Sequence, residues 1–213
     1  MEITWYGHSC FRIRDKGISI VTDPYDESIG YSLPPLKADI VTVSHHHPGH
    51  SNWKKVKGKP KVLDGPGEYE VKGVFITGIA TYHDRRKGRD RGKNVVFLFE
   101  FDGMTICHLG DLGHILNETQ VEALTNVDVL LIPVGGVSTL TASEAAEVIR
   151  LLEPSIVIPM HYRTKGLAFK LNSVTKFFQE MGISKPETLT SLKLTKQNLP
   201  AETRICLLEQ RQK

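Results

Sequence analysis

Four histidines fall within six residues of VTVSHHHPGH (41–50): His45, His46, His47 and His50. Three imidazoles delivered from one short loop suit Zn²⁺, and also Fe or Mn when a carboxylate is added. In extended backbone, residues i and i+2 point the same way, so His45 and His47 are expected to face together and His46 to point away. Pro48-Gly49 then turns the chain, and His50 swings back from another direction. Ser51 or Asn52 is placed to cap a helix there. Asp111, in HLGDLGH, can supply the carboxylate, and its flanking Gly110 and Gly113 let the backbone come close. Metal ions with an open position polarise a carbonyl or phosphoryl oxygen and generate hydroxide near neutral pH.

Further candidates stand at comparable places. His45 follows DIVTVS, His83 follows VFITGIATY, Asp111 follows MTICHLG and His161 follows SIVIPM. Each comes off the C-terminal end of an apolar, strand-like run, and in layered α/β proteins that rim is where ligands bind. Asp23, in TDP, can receive an N–H from a ligand histidine, as carboxylates behind metal ligands do, or serve as a turn residue before Pro24. His114 is a candidate pocket residue, and His108, inside a strand, reads as a satisfied core histidine. His8 and Cys10 sit on one face of the first strand, where a Cys–His pair is conceivable. The run DRRKGRDRGK (84–93) carries six cations and two carboxylates. Arg85 and Arg86 in it could clamp an anionic substrate, since guanidinium forks suit phosphate and carboxylate; a solvated loop is the plainer reading. GPGEYE (65–70) and PVGG (133–136) read as tight loops near the rim, with Glu68 as a pocket candidate.

The elements that must hold these residues are mostly strands at first. ITWYG, CFRIR, ISIVTD, DIVTVS, KVLDG, YEVKG, VFITGIATY, NVVFLFEF and MTICHLG are rich in β-branched and aromatic residues and bounded by Gly, Asp or Pro. KGV at 72–74 and DGM at 102–104 read as hairpin turns. Helices come later. NETQVEALTN (117–126) opens on a capping residue. TASEAAEVIRLLEP (141–154) has Thr141 as cap, Glu144 completing a capping box, and Pro154 after its end. LNSVTKFFQEMG (171–182) has helical apolar spacing and stops at Gly182. DVLLIPV and SIVIPM are buried-type strands between them, and SLKLT and TRICLLE close the chain. We read one domain over 1–213, α/β in class, with helices packed outside sheets.

Composition narrows the rest. At 213 residues, 40% hydrophobic and 24% charged, the chain can bury a core without metal or disulfide staples, so a metal would serve chemistry. A net charge of +3 is too mild to argue for nucleic acid. Three scattered cysteines, Cys10, Cys107 and Cys206, give no disulfide framework and suit a reducing cytoplasm. No secretory signal and no membrane span is read. G-x-S-x-G, P-loop, H-E-x-x-H and dinucleotide motifs are absent.

SHHHPGH resembles the H-x-H-x-D-H signature of the metallo-β-lactamase superfamily, HLGD its later G-D motif, and IPMHY its final histidine. The opening WYGHSCFRI…IVTDP is similar to the start of a small-hydrolase branch that includes the phosphorylated-ascorbate lactonase. The resemblance runs over nearly the whole chain and implies a four-layer αββα sandwich with metals at one edge of paired sheets. Carried over residue by residue, it implies that His45, His47 and His83 hold a first metal, that His50 and His161 hold a second, and that Asp111 bridges. It also places His8 near the metal rim. Gly49 departs from it, standing where the signature has Asp, so one ion or two, and the proton route, stay open; Asp111 or a water relay is the candidate proton acceptor. The expected activity is a hydrolase using metal-bound hydroxide on an ester, lactone or phosphodiester, with a small substrate that is anionic if the basic run clamps it. The alternatives are a phosphodiesterase or nuclease of the same fold, or a metal-binding protein that has lost turnover.

Overall fold

The computed structural model describes residues 1–101 and 103–212. In chain order the strands open with β1 (Glu2–Gly7), β2 (Cys10–Asp15), β3 (Ile18–Thr22), β4 (Ile40–Thr42) and β5 (Lys61–Leu63). β6 (Gly67–Val71), β7 (Val74–Tyr82), β8 (Lys93–Phe101) and β9 (Met104–His108) follow. Then helices alternate with strands: α1 (Glu118–Ala123), β10 (Val129–Pro133), α2 (Ala142–Leu152), β11 (Ile156–Met160) and α3 (Val174–Glu180). The chain closes with β12 (Glu187–Leu189), β13 (Leu192–Lys193) and β14 (Arg204–Leu208).

These strands form two mixed sheets, ordered β13-β1-β2-β3-β4-β5 and β12-β14-β11-β10-β9-β8-β7-β6. Tight turns make the antiparallel parts. Between β6 and β7, Lys72 and Gly73 both take positive φ (55° and 78°), the twist that suits a two-residue hairpin. Asp102, which opens the turn expected at 102–104, lies outside the described residues. The parallel parts need crossovers, and α2 between β10 and β11 is one. The expected capping box of Thr141 with Glu144 closes at the start of α2, and the capping residue Asn117 forms one with Gln120 at the start of α1.

The period-2 pattern decides which side chains meet. Ile3, Trp5, Phe11, Ile13, Ile20 and Ile40 leave the first sheet on one face and join Phe97, Phe99, Ile106 and Leu131 of the second in one core. The opposite face of the first sheet, with Tyr6, Cys10, Val21, Val41 and Val43, is covered by Tyr25, Ile29, Leu36 and Val56. Those covering residues come from irregular chain carrying two single 3₁₀ turns, Glu27–Ile29 and Trp53–Lys55. β10 and β11 are buried along their whole length, as sheet strands covered on both faces are, and α2 and α3 pack together beside them. Among the described residues, no helix is long and apolar enough to cross a membrane.

Strand directions gather the chemistry. β1, β3 and β4 run the same way in the first sheet; β7, β9, β10 and β11 do so in the second. His8, Asp23 and His45 follow the first group's C-terminal ends, and His83, Asp111 and His161 follow those of β7, β9 and β11.

Candidate metal centre

The histidine loop does not continue the strand. β4 ends at Thr42, and the chain bends through His45–His47, with His47 N donating to His45 O (3.1 Å) and His50 N to His47 O (2.9 Å). The bend, rather than extended alternation, brings the His45 and His47 rings to 4.5 Å. His46 is left exposed, 3.6 Å from Asp64. Neither expected cap forms a helix cap: Ser51 Oγ donates to His47 O, and Asn52 Nδ2 donates to Tyr25 O ahead of a single 3₁₀ turn.

Four imidazole Nε2 atoms converge on one carboxylate oxygen. His83 and His161 stand 3.2 Å from Asp111 Oδ2, His50 3.3 Å and His45 3.9 Å. Among the described residues, the ligand atoms of His45, His47 and His83 lie within 4.8 Å of one another, as do those of His8, His50 and His161. Asp111 is aimed by its backbone. Its N–H donates to Asn94 Oδ1 (2.9 Å), and Gly110 before it takes φ +56°. A Cβ on Gly110 would stand 2.5 Å from Asn94 Oδ1 and from Ser44 Cβ, so only glycine fits that approach.

Hydrogen bonds behind the rings assign the tautomers. Asp23 Oδ1 accepts from Ser44 N (2.7 Å), and Asp23 Oδ2 accepts from Ser44 Oγ (2.5 Å) and His50 Nδ1 (2.8 Å). Ser44 Oγ, its proton given to Asp23, accepts from His45 Nδ1 (2.9 Å). Protons on both Nδ1 atoms leave the Nε2 atoms of His45 and His50 turned toward Asp111. His45 Nε2 is buried without a hydrogen-bond partner. Asp23 also falls within 4.8 Å of His45 and His50, but on their Nδ1 side, with its oxygens already accepting.

Four imidazole Nε2 atoms gathered on one buried carboxylate fit a cation, which would take the place of any proton those nitrogens direct at Asp111. Atoms sharing an ion with bonds near 2.0–2.2 Å stand roughly 3.0–3.5 Å apart, which matches the His50, His83 and His161 contacts to Asp111. Burial holds His8 well below the ordinary histidine value, helped by His161 and His50, and burial lowers His45 too, with His50 next. Burial opposes charge on Asp111, yet His161 and His50 outweigh it and keep the carboxyl well below its usual range. Against its burial, Asp111 and Asp23 raise His50 to about 10, so without a metal its Nε2 holds a proton toward Asp111, which a bound cation would replace.

Known proteins share this arrangement of strands. A candidate Zn-dependent hydrolase of the metallo-beta-lactamase superfamily from Thermotoga maritima is 43% identical, with TM-score 0.82 over 97% of each chain. A family profile for the beta-lactamase superfamily domain matches residues 2–161. The chain belongs to the metallo-β-lactamase superfamily. A UPF0173 metal-dependent hydrolase of Thermoplasma acidophilum is 30% identical, over 78% of this chain and 85% of that one. Igni18, a metallo hydrolase from Ignicoccus hospitalis, shares the fold at TM-score 0.67 and 20% identity, covering 91% of this chain and 99% of its own. The chain is accordingly a metal-dependent hydrolase of the metallo-β-lactamase fold.

Beside the hydrolase's histidines lies a cavity of about 640 Å³, a size suited to a small molecule. A cleft of similar volume, about 660 Å³, sits at the opposite end of β1 around Glu2, Arg14 and Lys193, remote from every histidine named above. Several sequence candidates do not reach the histidine cavity. Arg85 pairs with Glu144 (2.7 and 2.5 Å) and Arg86 with Asp90 (3.0 Å), so neither is a free clamp. Their loop is tied down by Asp84, whose carboxylate accepts four backbone N–H bonds, from Arg86, Gly88, Asp90 and Arg91. Arg91 from the same run lines the cavity instead, as does Lys170. His114 is structural: its Nε2 accepts from Tyr82 N and its Nδ1 donates to Ile115 O. His108 donates to Ser9 O inside the core. Glu68 is exposed on β6, away from the cavity lining. Cys10 opens β2 beyond the turn after β1, and burial, then Asp23, pushes its thiol well up, which removes it as a nucleophile.

The sequence reading missed Ser44, Asn94, Arg91, Lys170 and Phe169. Asn94 had a signal, since a buried amide near the start of an apolar strand is unusual. Ser44, directly before the histidines, had a weaker one. Nothing local marked Phe169 and Lys170, which reach the cavity from the irregular stretch before α3.

Proposed function

We propose that the chain hydrolyses a small ester, lactone or phosphodiester bearing an anionic group, using Zn²⁺ held by His45, His47, His83, His50, His161 and Asp111, with Mn or Fe as substitutes. The observation that carries this is the set of imidazole Nε2 atoms converging on Asp111 in the lining of a cavity that also holds Arg91 and Lys170. A metal bound there would activate water and polarise the scissile carbonyl or phosphoryl group. Asp23 and Ser44 hold the ligand rings in the tautomers that face inward. Arg91 and Lys170 receive the substrate's negative group. Val137, Phe169 and Leu171 give the cavity an apolar side that excludes water from the substrate body. Among the described residues Asp111 is the one carboxylate in the lining, and it is the proton-accepting candidate on the protein. Because Arg85 and Arg86 are spent on acidic partners, two cations remain at the cavity, which suits one anionic group better than a polynucleotide track. The similarity of the opening residues to the lactonase branch supports keeping lactones in the substrate set.

The test is a screen of esters, lactones and phosphodiesters, each with and without a carboxylate or phosphate, against stripped and Zn²⁺-loaded protein. Turnover is expected only when loaded. Arg91→Ala should raise KM for the anionic members about tenfold while Arg85→Ala leaves KM unchanged. Absence of metal-dependent turnover across the panel, or an Arg91→Ala variant with unaltered KM, would overturn the proposal.

A further inference from the structure

Gly49 sits between Pro48 and the ligand candidate His50, with an ordinary backbone conformation that does not require glycine. What requires it is a neighbour. A Cβ at 49 would stand 2.9 Å from His8 Nε2 and 3.2 Å from His8 Cδ2. The imidazole of His8 therefore fills the space that a side chain at 49 would take.

The fold works to put it there. His8 follows β1 with φ +52°, a left-handed conformation that costs a non-glycine residue about 1–2 kcal/mol. Two bonds to its carbonyl oxygen hold that conformation, from Trp5 Nε1 (3.0 Å) and His161 N (3.1 Å). The ring lies 4.3 Å from that of His161 and 4.7 Å from that of His50, with Phe169 edge-on at 5.6 Å. His8 is 2% exposed, and its Nε2 stands 3.1 Å from His50 Nε2.

Two imidazole nitrogens at that distance either share a proton or share a cation. His50 gives its Nδ1 proton to Asp23, so Nε2 is the nitrogen whose lone pair is open to a cation that displaces a proton there. A His8 Nε2–H bond to it would consume that lone pair and take His50 out of the ligand set. A cation lets both face inward, and 3.1 Å matches the spacing of nitrogens on one ion.

We infer that His8 is a ligand of the second metal position, completing with His50, His161 and Asp111 the donor set that Gly49 leaves short. This rests on the metal-dependent reading above. Each position then has three imidazoles and a shared Asp111, and the second is one charge more positive than a set with a carboxylate at 49 would be. The extra positive charge fits an anionic substrate.

The experiment is metal content per chain after stripping and Zn²⁺ reloading, for the wild type, His8→Ala, Gly49→Asp and the double variant. The second readout is ¹⁵N-histidine NMR of the wild type during Zn²⁺ titration, which needs no variant to fold. Two ions are expected in the wild type, one in His8→Ala, and two again in the double variant, where the carboxylate introduced at position 49 has room. Gly49→Asp alone should lose the second ion through collision with His8, a strongly non-additive pair. His8 Nε2 should shift as a ligating nitrogen with the second equivalent. His8→Ala retaining two ions at wild-type affinity, or a His8 Nε2 that keeps its proton throughout, would overturn the inference and leave the hydrolase reading standing. A wild type that takes up no ion would overturn both.

Discussion

Asp23→Asn isolates the hydrogen bonding behind the proposed metal ligands. Asp23 is fully buried and takes φ +39°, a conformation asparagine tolerates, so the backbone is not the variable. The carboxylate accepts three bonds, and an amide cannot. With its nitrogen at the Oδ1 position, the amide meets Ser44 N–H donor to donor, leaving a buried donor unpaired at about 1–3 kcal/mol. With its nitrogen at the Oδ2 position, it donates to His50 Nδ1, so the His50 proton must move to Nε2, where it blocks ligation. The first placement keeps the bonds to His50 and Ser44 Oγ and costs stability; the second disturbs His50 directly and His45 through Ser44. Loss of such a partner costs roughly 10–100-fold in metal affinity, or about 1.4–2.8 kcal/mol. The assay is competition against a chromophoric chelator, with thermal unfolding of the stripped protein alongside. The His50-bearing position should weaken most, and the stripped variant should melt lower. Wild-type affinity at both positions with an unchanged melting temperature would refute the assignment of Asp23 as the residue that sets the tautomers.

Gly110→Ala should destabilise the fold by about 2–5 kcal/mol, adding left-handed strain to a Cβ at 2.5 Å from Asn94 and Ser44; chemical denaturation reads it, and a loss under about 1 kcal/mol would count against the crowding. Glu144 is partly buried, which raises its carboxyl, but Arg85 and the Thr141 cap outweigh burial and hold it below its ordinary 4.5. A depressed carboxyl contributes stability above its unfolded value and loses it as pH falls through the folded one. Glu144→Gln keeps the cap and removes the charge, so it should cost up to about 1 kcal/mol at neutral pH and nothing well below pH 4; an equal cost at both pH values would show that charge is not the cause.

The sequence by itself carried the strand-like runs, the Thr141 capping box and the candidate histidines and Asp111 that the fold gathers, because those are local or periodic features. Apolar alternation in ITWYG and CFRIR fixes which face is buried whatever the partner sheet. Thr141 and Glu144 are three residues apart, and a capping box needs nothing beyond that spacing. The histidines could be picked out because each follows an apolar run, and rim placement depends only on where the strand ends. What the sequence left open depends on through-space neighbours. Arg85 looked free until α2 brought Glu144 against it, while Arg91, of the same type and loop, faces the cavity. Gly49 read as a missing carboxylate because its counterpart lies far away along the chain; only the pairing of strand ends after β1 and β4 puts the His8 ring into the space that glycine leaves. A residue's type and local spacing limit what it can do, but which lone pairs share a point in space is set by tertiary packing, and that packing decided how this centre is composed.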